Sequence, residues 1–211
     1  MPVLRGLRRS FPHARLAWLA APAFADILAR ESDLDEVIIF ERRRFGRIGW
    51  SMPAGISFAN FCRGLYRRRF DWVIDLQGLI RSGLLAAISA APVRAGFADC
   101  RERLARLFYT HAVAAGRLHA IDRNIALARA LGVDARAEDF RLTVTAAAQA
   151  FVESFLVKHG LRKGRYVVAA PGTTWPNKAY PAGRWREVLA ALTAEVPVVL
   201  TGSSSDSEGR L

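Results

Sequence analysis

Apolar residues run along the chain in two alternating patterns. Short blocks rich in β-branched and aromatic residues read as strands: "EVIIF" (36–40), "DWVIDL" (71–76), "RYVVAA" (165–170) and "PVVLTG" (197–202). Between them, apolar residues recur three and four apart, which predicts helices. These are "AFADILARE" (23–31), "PAGISFANFCRGLYRRR" (53–69), "LIRSGLLAAISA" (79–90), "HAIDRNIALARALGV" (119–133), residues 146–160 and "RWREVLAAL" (184–192). "ARLAWLA" (14–20) and "VRAGF" (93–97) add two strands, and "FRLTV" (140–144) looks extended. Alternation of this kind is the mark of an α/β protein with a parallel sheet. The near-continuous apolar run at 71–76 is expected of a strand covered on both faces. Residues 1–144 make one domain on this reading, and 145–211 begin a second.

Both ends depart from the pattern. "PVLRGLRRSF" (2–11) predicts a helix running directly into a strand, although in a doubly wound sheet such a helix follows a first strand. The second domain has two strands, too few to bury its apolar faces well. The expectation is a fragment of a longer α/β protein, lacking its initial strand and with an incomplete second domain.

Charge and composition narrow the class. No apolar run approaches the ~20 residues of a membrane span, and the N-terminal apolar stretch is broken by His13 and Arg15, unlike a signal peptide. Cys62 and Cys100 fit a reducing compartment, and neither they nor His13, His111, His119 and His159 have metal-ligand spacing. A cytosolic protein without metal or cofactor is expected. Net charge is +12, from 31 basic and 19 acidic residues. Residues 143–211 hold 8 basic and 5 acidic side chains, and the rest of the chain 23 and 14. A basic first half points to an anionic partner, or to an arginine-rich solvated surface.

Four stretches carry candidate chemistry. "APGTTWPNKAYPAGRW" (170–185) ends a buried strand in Thr173, Thr174 and Lys178 and then begins a helix near Pro181. Ligands of open α/β sheets bind at such strand ends, and the helix dipole favours an anion there. The stretch is therefore a candidate phosphate or diphosphate cradle, though not a Walker-type loop; the plain alternative is a threonine-rich turn capping its own backbone. In "FDWVIDLQGLIRSG" (70–83), Asp75, Gln77, Arg81 and Ser82 gather where a strand becomes a helix. Gln77 is placed to meet a sugar hydroxyl, whereas Asp75 and Ser82 could merely satisfy the turn. Residues 41–70 hold eight arginines against one acid, Glu41, with Phe45, Trp50 and Phe70 interleaved. That composition suits phosphates at a membrane surface, single-stranded nucleic acid, or a solvated helix face. In "ADCRERLARLFYTHAV" (98–113) and "HAIDRN" (119–124), Arg101, Glu102, His119 and Arg123 each read more readily as structural than functional.

These stretches, in this order, resemble the glycosyltransferase family 9 heptosyltransferases of lipopolysaccharide core synthesis. The resemblance rests on "VIDLQGLIRS" (73–82), "AGFADCRERLARLFYTHAV" (95–113), "HAIDRNIALARALG" (119–132), "PGTTWPNKAYPAGRW" (171–185) and "VVLTGSSSDSE" (198–208), and is nearer to the first-heptose type. It implies a GT-B fold of two Rossmann-like domains. It also implies inverting, metal-independent transfer of heptose from ADP-heptose to Kdo-lipid A, by an enzyme peripheral to the cytosolic face of the inner membrane. Carried onto this sequence, Thr173, Thr174 and Lys178 would hold the donor diphosphate, with Lys178 offsetting charge on the leaving ADP. Asp206 or Glu208 would meet the ribose hydroxyls. Arg42, Arg43, Arg44, Arg47, Gln77 and Arg101 would take the acceptor. The family's general base is an aspartate in a loop whose place lies just before Met1, so the chain as given is expected to transfer sugar poorly. The competing readings are a family 9 enzyme for another sugar and a non-catalytic basic remnant that binds anions, RNA or membrane.

Overall fold

The computed structural model describes residues 1–46, 49–116, 118–173 and 176–202. The chain divides into two compact units, Met1–Thr143 and Val144–Leu211.

The first unit opens with helix α1, Pro2–Ser10. A proline in the first turn removes an N–H that would have had no helical partner. Val3 packs with Ile125, Ala128, Val133 and Ala135 in one of the unit's two buried clusters. Gly6 lies against the backbone there, because a Cβ on it would come within 2.9 Å of Ala135 Cα and the Asp134 carbonyl oxygen. The opposite face of α1 carries three arginines, each paired. Arg5 donates to Glu31 at 3.0 Å and to Asp33 at 3.3 Å. Arg8 donates to Asp35 at 2.6 Å, and Arg9 to Asp134 at 2.9 Å and Asp139 at 2.6 Å.

Strands β1 (Ala17–Ala20) and β2 (Glu36–Ile39) pair in parallel, joined through the short helix α2 (Ala25–Leu28). A single helical turn, α3 (Arg42–Phe45), and the long α4 (Met52–Arg67) follow. Then come β3 (Trp72–Ile74), α5 (Ile80–Ile88), β4 (Val93–Phe97), β5 (His111–Val113) and α6 (Ala120–Ala130). The last three strands form a parallel sheet in the order β3-β4-β5. Its core is built from small side chains, with Ala95, Ala105 and Leu127 fully buried beside Phe97 and Cys100.

The α/β class with parallel pairing is as expected, but three details differ. Among the described residues no ladder joins β1–β2 to β3–β4–β5, where one continuous sheet was expected. Strand β5 was not predicted, because three residues beginning with His111 give no apolar run. Residues 140–144 are not a strand. The Arg141 carbonyl accepts from Arg5, and the Thr143 N–H donates to Glu31, so side chains satisfy what a ladder would have satisfied. Trp72 also keeps 38% of its surface exposed, so β3 is not covered on both faces.

Asp75 follows β3 and is buried. It accepts the backbone N–H groups of Gln77 at 2.8 Å and Gly78 at 3.3 Å, and the Tyr109 hydroxyl at 2.6 Å. The Tyr109 ring lies where a Cβ on Gly96 would be, so glycine in the middle of β4 makes room for it. Burial, together with the hydrogen bond to Asp75, pushes the Tyr109 phenol above its ordinary pKa.

The second unit contains α7 (Ala146–Lys158), capped by Thr145 Oγ1 accepting the Ala148 N–H at 3.2 Å. Strand β6 (Val167–Ala169), helix α8 (Ala182–Thr193) and β7 (Val198–Leu200) follow, with β6 and β7 parallel. Two strands cover little, as expected: Phe151 and Val157 on α7 remain largely exposed.

Two predictions concern this framework. Arg9 holds Asp139 below the usual carboxylate range, and Arg136, with help from Arg9, does so for Asp134. A depressed native pKa contributes stability above the unfolded value of about 4 and loses it as pH falls. Arg9→Met is therefore expected to lower the urea unfolding midpoint at neutral pH, with the gap to the parent closing below about pH 4. Tyr109→Phe leaves buried Asp75 short of a partner and is expected to cost about 1–3 kcal/mol at pH 7. The raised phenol pKa contributes fully below the unfolded value and is lost above it, so the parent's advantage over Tyr109→Phe should shrink above about pH 10 in urea titrations.

Candidate functional site

In the second unit the candidate residues lie at the carboxyl edge of the β6–β7 pair. The Thr201 N–H donates to the Ala169 carbonyl at 2.9 Å, so the chain leaving β7 runs beside the chain leaving β6. From β6 the backbone passes Pro171, which is buried, to Gly172 and Thr173, which are exposed. A 3-10 turn, Pro176–Lys178, ends on Lys178, whose side chain is exposed. Helix α8 then begins behind Pro181 with no side-chain cap. Its N-cap, Pro181, has no side-chain acceptor for the first N–H groups, the condition under which a helix start receives an anion. The helix start is braced by Tyr180 against Trp185, rings edge to face at 5.7 Å. Thr173, Lys178 and the α8 start thus lie within one short connection. Thr174, Asp206 and Glu208 fall outside the described residues.

In the first unit the candidates meet at the carboxyl edge of β3–β4–β5. Gly78 adopts φ +66°, and a Cβ on it would come within 3.3 Å of the Arg101 backbone nitrogen. The Gly78 carbonyl accepts the Glu102 N–H at 3.1 Å. The loops after β3 and β4 are therefore in contact, and exposed Gln77 and exposed Arg101 stand on neighbouring turns. Other candidates are consumed by structure. Glu102 accepts the Ile80 N–H at 2.6 Å at the start of α5. Ser82 Oγ exchanges hydrogen bonds with Leu79. His119 Nδ1 accepts the Ile121 N–H at the start of α6. Arg123 donates to Asp99 and lies over the Phe97 ring at 4.6 Å. Arg81 lies exposed on α5.

Arg42, Arg43 and Arg44 project from the single turn α3, all exposed, with Arg44 reaching Glu41 at 3.1 Å. Arg47 is outside the described residues. Sequence reasoning missed Tyr109 as the partner of Asp75 and Asp99 as the partner of Arg123. A glycine inside a strand, Gly96, was the one available sign that a bulky group approaches β4.

Comparison with known proteins gives a consistent answer. The model for glycosyltransferase family 9 (heptosyltransferase) matches residues 58–211. Lipopolysaccharide heptosyltransferase 1 of Escherichia coli K12 is 29% identical over 197 residues, covering 91% of this chain and 59% of its own length. The protein of the same description from Pseudomonas aeruginosa is 30% identical over 192 residues, covering 89% and 52%. The chain thus spans little more than half the length of the curated relatives it matches. The structure of E. coli heptosyltransferase WaaC with ADP-2-deoxy-2-fluoro heptose superposes with a TM-score of 0.73 at 27% identity, over 97% of this chain and 64% of that one. A family 9 glycosyl transferase from Veillonella parvula, at 23% identity and TM-score 0.74, shares the fold. The expected fold class, α/β of GT-B type, is that of these structures. The family match runs through the loops at both sheet edges, and this chain belongs to glycosyltransferase family 9.

Proposed function

We propose that this chain is part of an inverting glycosyltransferase that moves heptose from ADP-heptose to Kdo-lipid A at the cytosolic face of a membrane. The carrying observation is the connection after β6, where Thr173, Lys178 and the start of α8, whose N-cap Pro181 gives no side-chain cap, follow one another. Hydroxyl, ammonium and helix N–H groups are the set that a sugar diphosphate requires. The second unit, taken as 145–211, would hold the donor, and the first, taken as 1–144, the acceptor.

In the transfer, an acceptor hydroxyl attacks the anomeric carbon from the face opposite ADP. The new C–O bond forms as the bond to the diphosphate oxygen breaks, and ADP departs with that electron pair. Lys178 and the α8 N–H groups offset the charge that develops, a role that needs no metal. Thr174 and Asp206 or Glu208 take donor contacts by resemblance. Gln77 and Arg101, with Arg42, Arg43, Arg44 and Arg47, would orient an acceptor rich in phosphate and carboxylate. The acceptor's proton must go to a base. Three carboxylates near the first unit's sheet edge are engaged: Asp75 by Tyr109, Asp99 by Arg123 and Glu102 by the Ile80 N–H. These three serve to orient the loops of the site.

Titration calorimetry with ADP-heptose, ADP, a UDP-hexose and inorganic phosphate tests the reading. ADP-heptose is expected to bind tightest, and Lys178→Ala to weaken it about tenfold or more, the loss of one charge-assisted contact. Equal affinity for phosphate and ADP-heptose would overturn the donor assignment. Preference for the UDP-hexose would reassign the sugar.

A further inference from the structure

We infer that the α3–α4 segment is a membrane-docking surface, which inserts Trp50, Met52 and Ile56 into a bilayer bearing anionic phospholipid. The inference builds on the proposed lipid-linked acceptor, but its test contains neither donor nor acceptor.

The segment is anchored from below. Phe45 is buried, and its ring meets those of Phe40, Phe58 and Phe61 at 5.2–5.3 Å. Phe58 and Phe61, with buried Ala54 and Leu65, form the inner face of α4. A helix whose aromatic side is already packed has no internal use for large apolar groups on its outer side. Yet Trp50 is 94% exposed, Met52 83% and Ile56 61%. Met52 and Ile56 are one turn apart, and the same stripe continues through exposed Ala59, Arg63 and Arg67. The face is thus apolar at its start and cationic towards its end.

Charge selects the occupant. Residues 41–70 hold eight arginines and one acid, and that acid, Glu41, is spent on Arg44. Arg63 and Arg67 form no ion pair with any described residue. Lipid phosphates supply the missing anions, and each arginine near such a surface raises binding about fivefold. Tryptophan favours the headgroup level, while methionine and isoleucine reach the acyl boundary. Nucleic acid fits less well. The four phenylalanines close on one another and offer no open platform for bases, and Met52 and Ile56 have no rings to stack.

The test is co-sedimentation of the chain with vesicles of phosphatidylcholine alone or mixed with phosphatidylglycerol, together with quenching of tryptophan fluorescence by brominated acyl chains. Binding to the mixed vesicles is expected to exceed that to phosphatidylcholine at least tenfold, following the per-arginine gain. Serine at positions 50, 52 and 56 together (W50S, M52S, I56S) should reduce it about tenfold or more and remove the quenching. Arg63→Gln with Arg67→Gln should weaken binding to mixed vesicles only. All five positions are exposed, so circular dichroism should show unchanged melting. No binding to the mixed vesicles, or binding indifferent to the apolar triple variant, overturns the inference. So does self-association in sedimentation velocity that the triple variant abolishes while vesicle binding persists, since the face would then cover a second copy. Lipid binding with no ADP-heptose binding would leave this surface standing and remove the donor reading.

Discussion

The hydrogen-bonded ion pair between Arg5 and Glu31 ties α1, which packs on α6, to the segment that leads into β2. Among the described residues no ladder crosses between β1–β2 and β3–β4–β5, so side chains and helices join them: α1 with its arginines, Arg68 on Glu36, and Phe11 against Trp72. Glu31 is only 3% exposed and accepts from Arg5 and from both the N–H and the hydroxyl of Thr143. A buried pair contributes little net stability once desolvation is counted, but removing one partner is costly. Its value here is positional. Arg5 and Arg8 tie α1 to the 31–35 segment, while Arg9 ties it to Asp134 and Asp139. Gly6 lets the helix approach closely enough for both sets of bonds to form.

The same economy governs the sheet edge. A carboxylate, a serine, a glutamate and a histidine near strand ends look like catalytic equipment in a sequence. In the structure they close turns and start helices. Asp75 fixes the Gln77–Gly78 turn and is itself held by Tyr109. Glu102 and His119 each take up an N–H group at a helix start. Once these groups are assigned to the backbone, Gln77 and Arg101 remain facing solvent, on loops made rigid by their neighbours. Rigid support under an exposed polar group is what lets a loop orient a substrate.

The strand–helix alternation was legible because it depends on local periodicity. The long helix α4 and strands β2, β3 and β4 fall where apolar spacing places them. The split into two sheets was not legible, since pairing depends on which edges meet. Nor was β5, whose three residues carry no pattern. The Asp75–Tyr109 bond spans 34 positions and leaves no trace at any fixed spacing. The proposed donor loop stands out in the sequence because its polar groups are contiguous, running from Thr173 to Lys178 within one connection. The proposed acceptor side draws on separate turns at 77 and 101, which the approach of Gly78 to the Arg101 backbone and the Glu102 N–H bond to the Gly78 carbonyl bring together.

Net charge misleads unless the arginines are sorted by their partners. Arg5, Arg8, Arg9, Arg68, Arg123 and Arg136 meet carboxylates of the chain itself and serve folding. Arg68 illustrates the division. It sits beside Arg67 at the end of α4, yet it reaches Glu36 on β2 at 2.6 Å and depresses that carboxylate's pKa. Its neighbour Arg67 is exposed and pairs with no acid among the described residues. The two are the same residue type in the same turn, separated only by which side of the helix they occupy. The basic excess inferred from composition is therefore a sum of two populations. Only the outward one is available to a partner, and part of it, Arg63 and Arg67, continues an exposed apolar stripe. The positive charge keeps this face solvated, but exposed Trp50, Met52 and Ile56 beside it are apolar surface of the kind that marks an interaction site; a cover that suits both must be anionic and apolar, and a bilayer surface is both.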